Sequence, residues 1–553
     1  MTRHLIITAG IIAVAASAFA QENSLGTARI YAGVGDSTPL GADLKLNIAT
    51  PSFVFRPFVG IKSINNDSSA RTEDISYIYT STGNAYTSHT ELRDSGYEAT
   101  YGATFSGSLT DSNKLSASVR GTRSDLTTTG FRQESVSAAG GSPVSSLKSV
   151  LDLPSLVANT LDADVSLSHL TGRVGEELTL RYEYSLGTAS RESSQDVLSQ
   201  NNFSTFNSNW LSTEAKTQWH KLTASWERAL THGQKVRAGL RYENRSISTD
   251  DLQRINEHPT TENVEHFAHD MQTGAVFAEY SLRLRSFSAN ARLEYDYTDM
   301  NGKALHDVVP MANVRWQINP ANALQAAYVR RIVRPGAELL NPFHVIGAYT
   351  IDYGIPTLQG IHLNNASLAH VLKTKSFDLT TTIAHIFVQD GFNAIWIERG
   401  DNIRLSFWGN EGIRRAWSFT PDAKWRPAQG TDIALRATLL WDKRIAEAIN
   451  MEKEHWGIDL QLRLQQQLPL GFRLGAKAGY SEGNTIDLYS HGSRATSFGG
   501  DLTRDLGKHI TLRADYCYAD HARTILTQGS YTGFVHSHPD TRHAATFTVT
   551  YRL

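Results

Sequence analysis

Residues 544–553 read AATFTVTYRL, and apolar and polar residues alternate through this stretch without a break. The apolar positions are Ala545, Phe547, Val549, Tyr551 and Leu553. The positions between them carry Ala544, three threonines and Arg552. A period of two residues predicts a β-strand with one apolar and one polar face. Because the sequence ends on this strand, we expect a sheet that is closed by its own last strand.

The first 20 residues, MTRHLIITAGIIAVAASAFA, have the three parts of an export signal. Arg3 gives the positive start, residues 5–16 form the apolar run, and residues 18–20 (Ala-Phe-Ala) form a cleavage site. We therefore predict a signal peptide over residues 1–20 that is cleaved before Gln21. The alternative is an uncleaved membrane anchor. It is less favoured because the apolar run is shorter than the roughly 20 residues that a membrane helix needs.

The composition excludes several classes of protein. Charged residues make up 20% of the chain and the mean hydropathy is −0.32, which excludes a helical membrane protein. A membrane β-barrel is compatible with these values, because its strands are only half apolar. The net charge of −2, with no basic block, gives no indication of nucleic-acid binding. A single cysteine, Cys517, excludes an internal disulfide framework.

The alternation of the last strand recurs along the whole chain. Over residues 287–297 (FSANARLEYDY), apolar residues occupy every second position. The same pattern is found over residues 178–186, 433–442 and 456–465. The 3.6-residue periodicity of helices is nearly absent. The sequence therefore predicts an all-β protein.

The connections between these strands alternate between short and long. Turns such as residues 231–234 (THGQ) alternate with polar segments such as residues 190–211. Short periplasmic turns and long extracellular loops are typical of outer-membrane β-barrels. We expect one barrel over residues 21–553, with about 22 strands and both ends on the short-turn side. The predicted strand centres are residues 30, 45, 57, 101, 120, 165, 183, 219, 241, 274, 292, 313, 328, 368, 382, 419, 437, 461, 476, 496, 514 and 547.

The strand length agrees with a membrane. The steps from Phe287 to Tyr297, each about 3.4 Å, rise roughly 25 Å at a tilt of about 40°, which is the height of the lipid-facing band. Trp441 and Trp456 fall at the loop-side ends of neighbouring strands, where aromatic rings favour the headgroup level. A soluble propeller would instead show a motif about every 40–50 residues, and the sequence has none. We therefore predict a transmembrane antiparallel up-and-down β-barrel in the cell outer membrane, covered by outer-membrane lipids.

Residues 330–343 read RRIVRPGAELLNPF. This stretch resembles the R-R-I-x-R-P-x-x-x-x-L-N-P-F signature of the TonB-dependent-receptor-like outer-membrane β-barrels of Bacteroidetes. Residues 354–358 (GIPTL) are similar to the G-N-P-x-L element of that family, with Ile355 in place of its asparagine. The resemblance covers residues 300–553 well and residues 25–300 by pattern alone.

The signature has a physical interpretation. Pro335 and Pro342 cannot continue a β-ladder, so we expect the strand to end there and a fixed loop to begin. The arginines of the signature could tie that loop to lumenal carboxylates. We favour this structural role over a contact with a ligand.

Members of the family also carry an N-terminal plug domain, preceded by a short segment that contacts TonB. Here only residues 21–24 separate the predicted cleavage site from the first strand-like segment, residues 27–34. We therefore expect the barrel portion without a plug domain. Such a barrel would not itself be coupled to TonB.

The polar faces of the predicted strands carry both signs of charge. The lumen-facing charged residues are predicted to be Arg181, Glu183, Arg237, Arg241, Glu243, Arg292, Glu294, Asp296, Arg436, Asp442, Asp459, Arg463, Arg513 and Asp515. We expect most of them to pair across strands, although a lining that selects a solute is an alternative. The segment 333–363 is the richest in apolar groups among the long connections. It is the best candidate for an ordered loop inside the mouth or for a contact with a partner lipoprotein.

Other chemistry has little support in the sequence. The last loop holds a group of possible metal ligands, namely His536, His538, Asp540 and His543. Histidines in loops are most often solvated, and we predict no metal site. The pair Gly140-Gly141 lacks the strand-to-helix context of a phosphate loop, and no Ser/His/Asp set stands in a catalytic motif. We predict that the protein is not an enzyme and holds no cofactor.

Two classes of function fit such a barrel. In the first, the barrel passes or binds a small solute at the cell surface, with a separate protein as its plug. In the second, it is a non-conducting scaffold or surface-binding protein. That protein would act through its extracellular loops and a partner lipoprotein.

Overall fold

The computed structural model describes most of the chain after residue 23. The described residues are 24–35, 40–65, 71–79, 82–138, 141, 143–199, 205–231, 233–255, 262–346, 350–398, 404–446, 450–484, 490–491, 493–522, 524–528, 531–537 and 543–552. The predicted signal peptide, residues 1–20, lies outside them.

Strands account for nearly all of the described structure. They are β1 (Ser24–Gly35), β2 (Leu40–Ala49), β3 (Phe53–Asn65), β4 (Arg71–Ile78), β5 (Ala85–Ser108), β6 (Asn113–Ser137), β7 (Pro143–Leu170), β8 (Glu176–Ser199), β9 (Thr205–Thr231), β10 (Gln234–Ile255), β11 (Glu262–Arg283), β12 (Phe287–Met300), β13 (Lys303–Asn319), β14 (Asn322–Val333), β15 (Val345–Ile346), β16 (Thr350–Tyr353), β17 (Ile361–Lys373), β18 (Phe377–Glu398), β19 (Arg404–Trp425), β20 (Thr431–Ala446), β21 (Met451–Gln467), β22 (Phe472–Asn484), β23 (Ser490–His491), β24 (Ser493–Leu506), β25 (Ile510–Ala522), β26 (Thr524–Gln528), β27 (Tyr531–Ser537) and β28 (His543–Arg552). One short helix, α1 (Ala337–Leu340), and a 3-10 turn (Pro469–Gly471) complete the structure. Neither is long and apolar enough to cross a membrane, and no other helix is found in the described ranges.

Twenty-two strands form one closed antiparallel barrel. They follow one another around the ring in chain order, with β4, β15, β16, β23, β26 and β27 left out. The first and last strands close the ring, with Ile30 opposite Val549. The predicted closure by the last strand is therefore confirmed. Each of the predicted strand centres lies in a different strand of this ring.

The apolar side chains of the wall point away from the lumen. On β8, Leu178, Leu180 and Tyr182 are exposed on the outer face, and Arg181 between them forms an ion pair with Asp164 on the inner face. Leu240 and Leu293 are 62% and 57% exposed in the same way. So many large apolar groups without a covering layer mark a lipid-facing surface.

The strands are much longer than the membrane requires. A tilted strand spans the apolar core with about 9–11 residues, but β7 has 28 residues and β9 has 27. The predicted long loop of residues 190–211 is strand over its described residues, 190–199 and 205–211, which corrects the predicted loop length. Above the membrane both faces of a strand meet water, so the apolar alternation that reveals a strand is lost.

A second connection joins the two ends of the sheet above the membrane. The hairpin strand β27 pairs with β4, with Phe534 opposite Ser76. The extracellular connection that precedes the last strand thus reaches the one that follows β3. The wall is closed at two levels, by β1–β28 and by β4–β27.

Tryptophans mark the extracellular edge of the lipid-facing band. Trp441 of β20 lies directly opposite Trp417 of β19 on one side and Trp456 of β21 on the other. Trp456 is 71% exposed. Trp441 and Trp456 lie on neighbouring strands as predicted, but five residues inside the extracellular ends of β20 and β21, because both strands continue above the lipid-facing band. Such rings favour the headgroup level.

Candidate functional site: the docked segment in the mouth

The stretch RRIVRPGAELLNPF leads from the wall into the mouth of the barrel. Strand β14 ends at Val333, two residues before the buried Pro335, as the proline positions predict. Residues of the two described stretches that follow, 334–346 and 350–360, contact inward-facing groups of the extracellular wall. We call these two stretches the docked segment.

Arg334 holds the beginning of the docked segment. Its Nη2 donates to Thr298 Oγ1 (2.9 Å) and to Asp307 Oδ2 (3.4 Å). His362 Nε2 lies 2.6 Å from the other oxygen of Asp307. The pairing of β13 with β14 stops at Met311, so Arg334 bridges a gap between two strands of the wall. An arginine of the signature thus binds an inward-facing carboxylate, as proposed from the sequence.

Asn341 fixes the middle of the docked segment. Its Nδ2 donates to Asp251 Oδ2 (2.7 Å), and its Oδ1 accepts from the backbone N–H of Phe343 (3.1 Å). Thr213 Oγ1 donates to the other oxygen of Asp251 (2.7 Å). Asp251 is buried, so these two bonds supply the partners that a desolvated carboxylate requires.

Gln253 binds the backbone of the docked segment at Ile346. Its Nε2 donates to the carbonyl of Ile346 (3.0 Å), and its Oε1 accepts from the backbone N–H of Ile346 (3.3 Å). Asn209 Nδ2 donates to the same carbonyl (3.1 Å). The buried amide side chain thus pairs with the segment as a neighbouring strand would.

The end of the docked segment binds the extracellular part of β19. Strand β16 pairs in parallel with β19, and the ring of Tyr353 stacks between those of His344 (4.6 Å) and Phe407 (5.3 Å). The backbone N–H of Gln359 donates to Asn410 Oδ1 (2.7 Å), and Asn410 Nδ2 donates back to the carbonyl of Gln359 (3.0 Å).

An apolar cluster lies beneath the docked segment. Leu340 and Leu358 of the segment pack with Phe267 of the wall, and all three are buried. Four partly buried groups surround them, namely Leu339, Ile355, Phe392 and Trp408. Burial of each large apolar side chain contributes about 1.5–3 kcal/mol, so this cluster is a main source of the docking energy.

The anchors lie far apart on the wall. Asp251 and Gln253 belong to β10, whereas Phe407 and Asn410 belong to β19. Six strands of the ring separate β10 from β19, so the segment extends along about a third of the rim on its inner side. The prediction of an ordered loop inside the mouth is confirmed. The wall residues that receive it were missed, because they lie in polar stretches that read as loops.

His269 of β11 makes the stability of this apolar cluster dependent on pH. It lies in the extracellular part of the strand, with its ring stacked on Phe267 and its Nδ1 beside Asn301 Nδ2 (2.8 Å). Burial lowers the pKa of His269, and Arg245 lowers it further against the opposing effect of Asp270. Because the folded state favours the neutral ring, its contribution to stability is complete at high pH and is lost as the pH falls from about 6.5 through the lowered value.

Acidification is therefore expected to loosen the docked segment. Hydrogen exchange of residues 337–346 should accelerate as the pH falls below about 6.5, after correction for the intrinsic exchange rate. In a His269→Leu variant this acceleration should disappear. An acceleration of the same size in the variant would show that another group is responsible.

Seven of the fourteen charged residues predicted to face the lumen form ion pairs across strands in the described structure, which is half of them and not most. Arg181 Nε lies 2.6 Å from Asp164 Oδ2. Arg241 Nη2 lies 2.8 Å from Glu294 Oε1 and 3.1 Å from Asp296 Oδ2. The lattice is incomplete, since Arg436 and Arg463 form no ion pair with any residue that the structure describes.

The periplasmic half of the lumen contains a polar cavity of about 1250 Å³. Its lining includes Arg29, Arg473, Asp501, Arg513, Thr548 and Arg552. Cys517 follows Arg513 and Asp515 on the lumenal side of β25 and is exposed.

The structure describes only part of the group of possible metal ligands near the end of the chain. His538 and Asp540 lie outside the described residues, as does Gly140 of the glycine pair. His543 Nδ1 is hydrogen-bonded to the hydroxyl of Tyr516 (2.8 Å). Within the described ranges no group of three or more His, Cys, Asp or Glu residues could hold a metal ion.

Comparison with known proteins identifies the barrel. A family described as "Outer membrane protein beta-barrel family" matches residues 169–545. The chain belongs to this outer membrane protein beta-barrel family. Membership places the protein in the outer membrane, and the resemblance to TonB-dependent-receptor-like barrels is confirmed. No curated protein sequence matches the chain.

Solved structures similar to this family member are receptors and transporters. A mutant ferric enterobactin receptor (PfeA) of Pseudomonas aeruginosa, in complex with enterobactin, has a TM-score of 0.64 at 12% identity, over 97% of this chain and 82% of the receptor. The siderophore receptor PirA of the same species has a TM-score of 0.59 at 10% identity, over 96% of this chain and 81% of PirA. The copper transporter OprC has a TM-score of 0.62 at 10% identity, over 96% and 81%. At these identities the similarity shows the fold that the family shares.

Proposed function

We propose that this barrel passes or binds a small solute at the cell surface, through a mouth that the docked segment narrows. The observation that carries the proposal is the position of that segment. It lies inside the rim of a closed ring of 22 strands, anchored at β10 and at β19.

The width of the barrel makes such a constriction necessary. Barrels of about 16–18 strands already enclose an aqueous channel, and a larger number of strands gives a wider one. The paired charges that line this lumen favour water over an apolar filling. Passage must therefore be limited at the mouth or by a second protein.

We propose a separate protein as the plug. The described residues form the wall, its turns and the extracellular segments, and none of them forms a domain within the lumen. The polar cavity beside Arg29, Arg513 and Arg552 offers such a plug hydrogen-bond donors at its periplasmic end. In this arrangement the barrel chain would not itself be coupled to TonB, and its role requires no catalysis.

Single-channel recording of the purified barrel tests the proposal. The natural protein should give openings on the nanosiemens scale. A variant in which a short Gly/Ser linker replaces residues 337–357 should give larger ones, because the constriction is removed. Slower migration after heating on a denaturing gel shows that each barrel was folded.

A folded barrel that stays silent in both forms would contradict a conducting lumen. That result would favour the alternative function, a scaffold or surface-binding protein that acts through its extracellular loops and a partner lipoprotein.

A further inference from the structure

A tyrosine and histidine cluster lies on the outer face of β8 and β9. Tyr184 is directly opposite His220, with ring centroids 4.9 Å apart. The hydroxyl of Tyr182 lies 2.8 Å from Nδ1 of His220. These side chains continue the outward series of Leu178 and Leu180, so the imidazole points to the membrane side and not to the lumen.

The same cluster recurs on β12 and β13. Tyr297 is directly opposite His306 at a centroid distance of 5.3 Å, and the hydroxyl of Tyr295 lies 2.7 Å from Nδ1 of His306. A third copy on β25 and β28 combines Tyr518, Tyr516 and His543, with corresponding distances of 4.9 and 2.8 Å.

The clusters share one height on the barrel. Tyr184 is eight residues beyond the periplasmic end of β8, and Tyr297 is ten residues beyond that of β12. With a rise of about 2.6 Å per residue for a tilted strand, both lie about 21–26 Å above that end, which is the upper edge of the lipid-facing band.

The residues around His220 confirm that a boundary lies there. On the outer face of β9, Leu222 and Ala224 lie on its periplasmic side, and Gln218 and Lys216 lie on its extracellular side. Lys216 is exposed and forms no ion pair with the part of the chain that the structure describes. The imidazole is therefore the first polar group above the apolar band, with a cation two positions further out.

The tyrosine determines what the imidazole can bind. When the tyrosine hydroxyl donates to Nδ1, the ring proton is on Nε2, which becomes a hydrogen-bond donor. No described residue forms a hydrogen bond with Nε2 of His220 or His306. At the headgroup level the strongest acceptors are the phosphate groups of lipids.

We propose that His220 and His306 each bind a phosphate group of an outer-leaflet lipid headgroup through Nε2. The neighbouring tyrosine orients the ring, and at the first site Lys216 adds a positive charge. Bound lipids at these two hairpins fix the height of the barrel in the membrane.

The test uses the full barrel with ¹⁵N-labelled histidine rings in lipid nanodiscs. Single variants, His220→Phe and His306→Phe, assign the resonances. The Nε2 resonances of both rings should shift in phospholipid discs relative to discs of a phosphate-free glycolipid. By native mass spectrometry, the double variant should bind phospholipid roughly tenfold more weakly, the value of one hydrogen bond to a charged group.

The control variant is His509→Phe, which changes a histidine stacked on Tyr551 at the periplasmic end. It should leave the affinity for phospholipid unchanged. If no histidine Nε2 resonance of the natural protein shifts in phospholipid discs, the proposal is overturned, and this comparison needs no variant. An equal shift with inorganic phosphate in detergent would overturn the assignment to a lipid.

Discussion

Replacing Gly354 by valine is expected to release the docked segment from the wall. A Cβ atom at this position would lie 2.5 Å from the carbonyl oxygen of Asn341 and 2.8 Å from that of Leu339. Both are backbone atoms, so no side-chain rotation relieves the overlap. The backbone N–H of Gly354 also donates to Asn341 (2.7 Å), and a shift of the chain would break this bond.

The effect should be large because one overlap disturbs several anchors. Overpacking costs about 1–3 kcal/mol, and loss of burial for Leu340 and Leu358 adds about 1.5–3 kcal/mol for each. Limited proteolysis within residues 337–358 should therefore accelerate by at least tenfold, since about 1.4 kcal/mol corresponds to a factor of ten. The single-channel conductance should rise in parallel if the segment narrows the mouth.

Gly187→Val provides the matched control for Gly354→Val. Gly187 also lies in the extracellular wall, but a Cβ atom there would have no neighbour within 4 Å. We expect the cleavage pattern and the conductance of this variant to match those of the natural protein. A docked segment in Gly354→Val that resists proteases as well as the control does would refute the docking geometry.

Replacing Asp442 by leucine should give the largest loss of barrel stability. This carboxylate of β20 is 0% exposed and lies between two arginines. Arg414 Nε is 3.0 Å from both of its oxygens, and Arg444 Nε is 3.4 Å from Oδ2. Removing one partner of a buried ion pair costs about 3–5 kcal/mol, because the remaining charges stay desolvated without compensation.

The midpoint of unfolding, followed by gel migration after heating or in urea, measures this loss. Asp442→Asn keeps an acceptor for the arginines and should fall between the natural protein and Asp442→Leu. The control is Glu262→Ala, which removes an exposed ion pair with Arg254 (3.2 Å) and should cost less than about 1 kcal/mol. Equal losses of unfolding free energy in Asp442→Leu and Glu262→Ala would show that the buried ion pairs of Asp442 stabilise the barrel no more than an exposed ion pair does.

The membrane-spanning part of this barrel could be predicted from the sequence because lipid imposes a simple rule on it. Every second residue must be apolar, and positions such as Leu293 and Val549 follow that rule through the lipid-facing part of their strands. Turn chemistry at residues 231–234 then separates one strand from the next. The number of strands and the face of each strand that points to lipid therefore follow from the local pattern alone.

The docking site could be predicted only in part. The prolines show where β14 ends, and the apolar residues of segment 333–363 indicate that it is covered. The wall residues that bind the segment follow no sequence pattern. Asp251 is 90 residues away from Asn341 in the sequence, and it lies in a stretch that is polar on both faces. Pairing at that distance depends on the curvature of the finished wall, which no local periodicity records.

The seam between β1 and β28 has a consequence for biogenesis. It joins residues 27–35 to residues 544–552, the greatest sequence separation available to this sheet. Closure is thus the slowest kind of contact to form, and until it forms both edge strands carry backbone groups that hydrocarbon cannot satisfy. An insertion machinery would have to shield these two edges until the last ten residues arrive. The pairing of β27 with β4 would then hold the two edge strands together above the membrane, so that the closed barrel does not open at the β1–β28 seam.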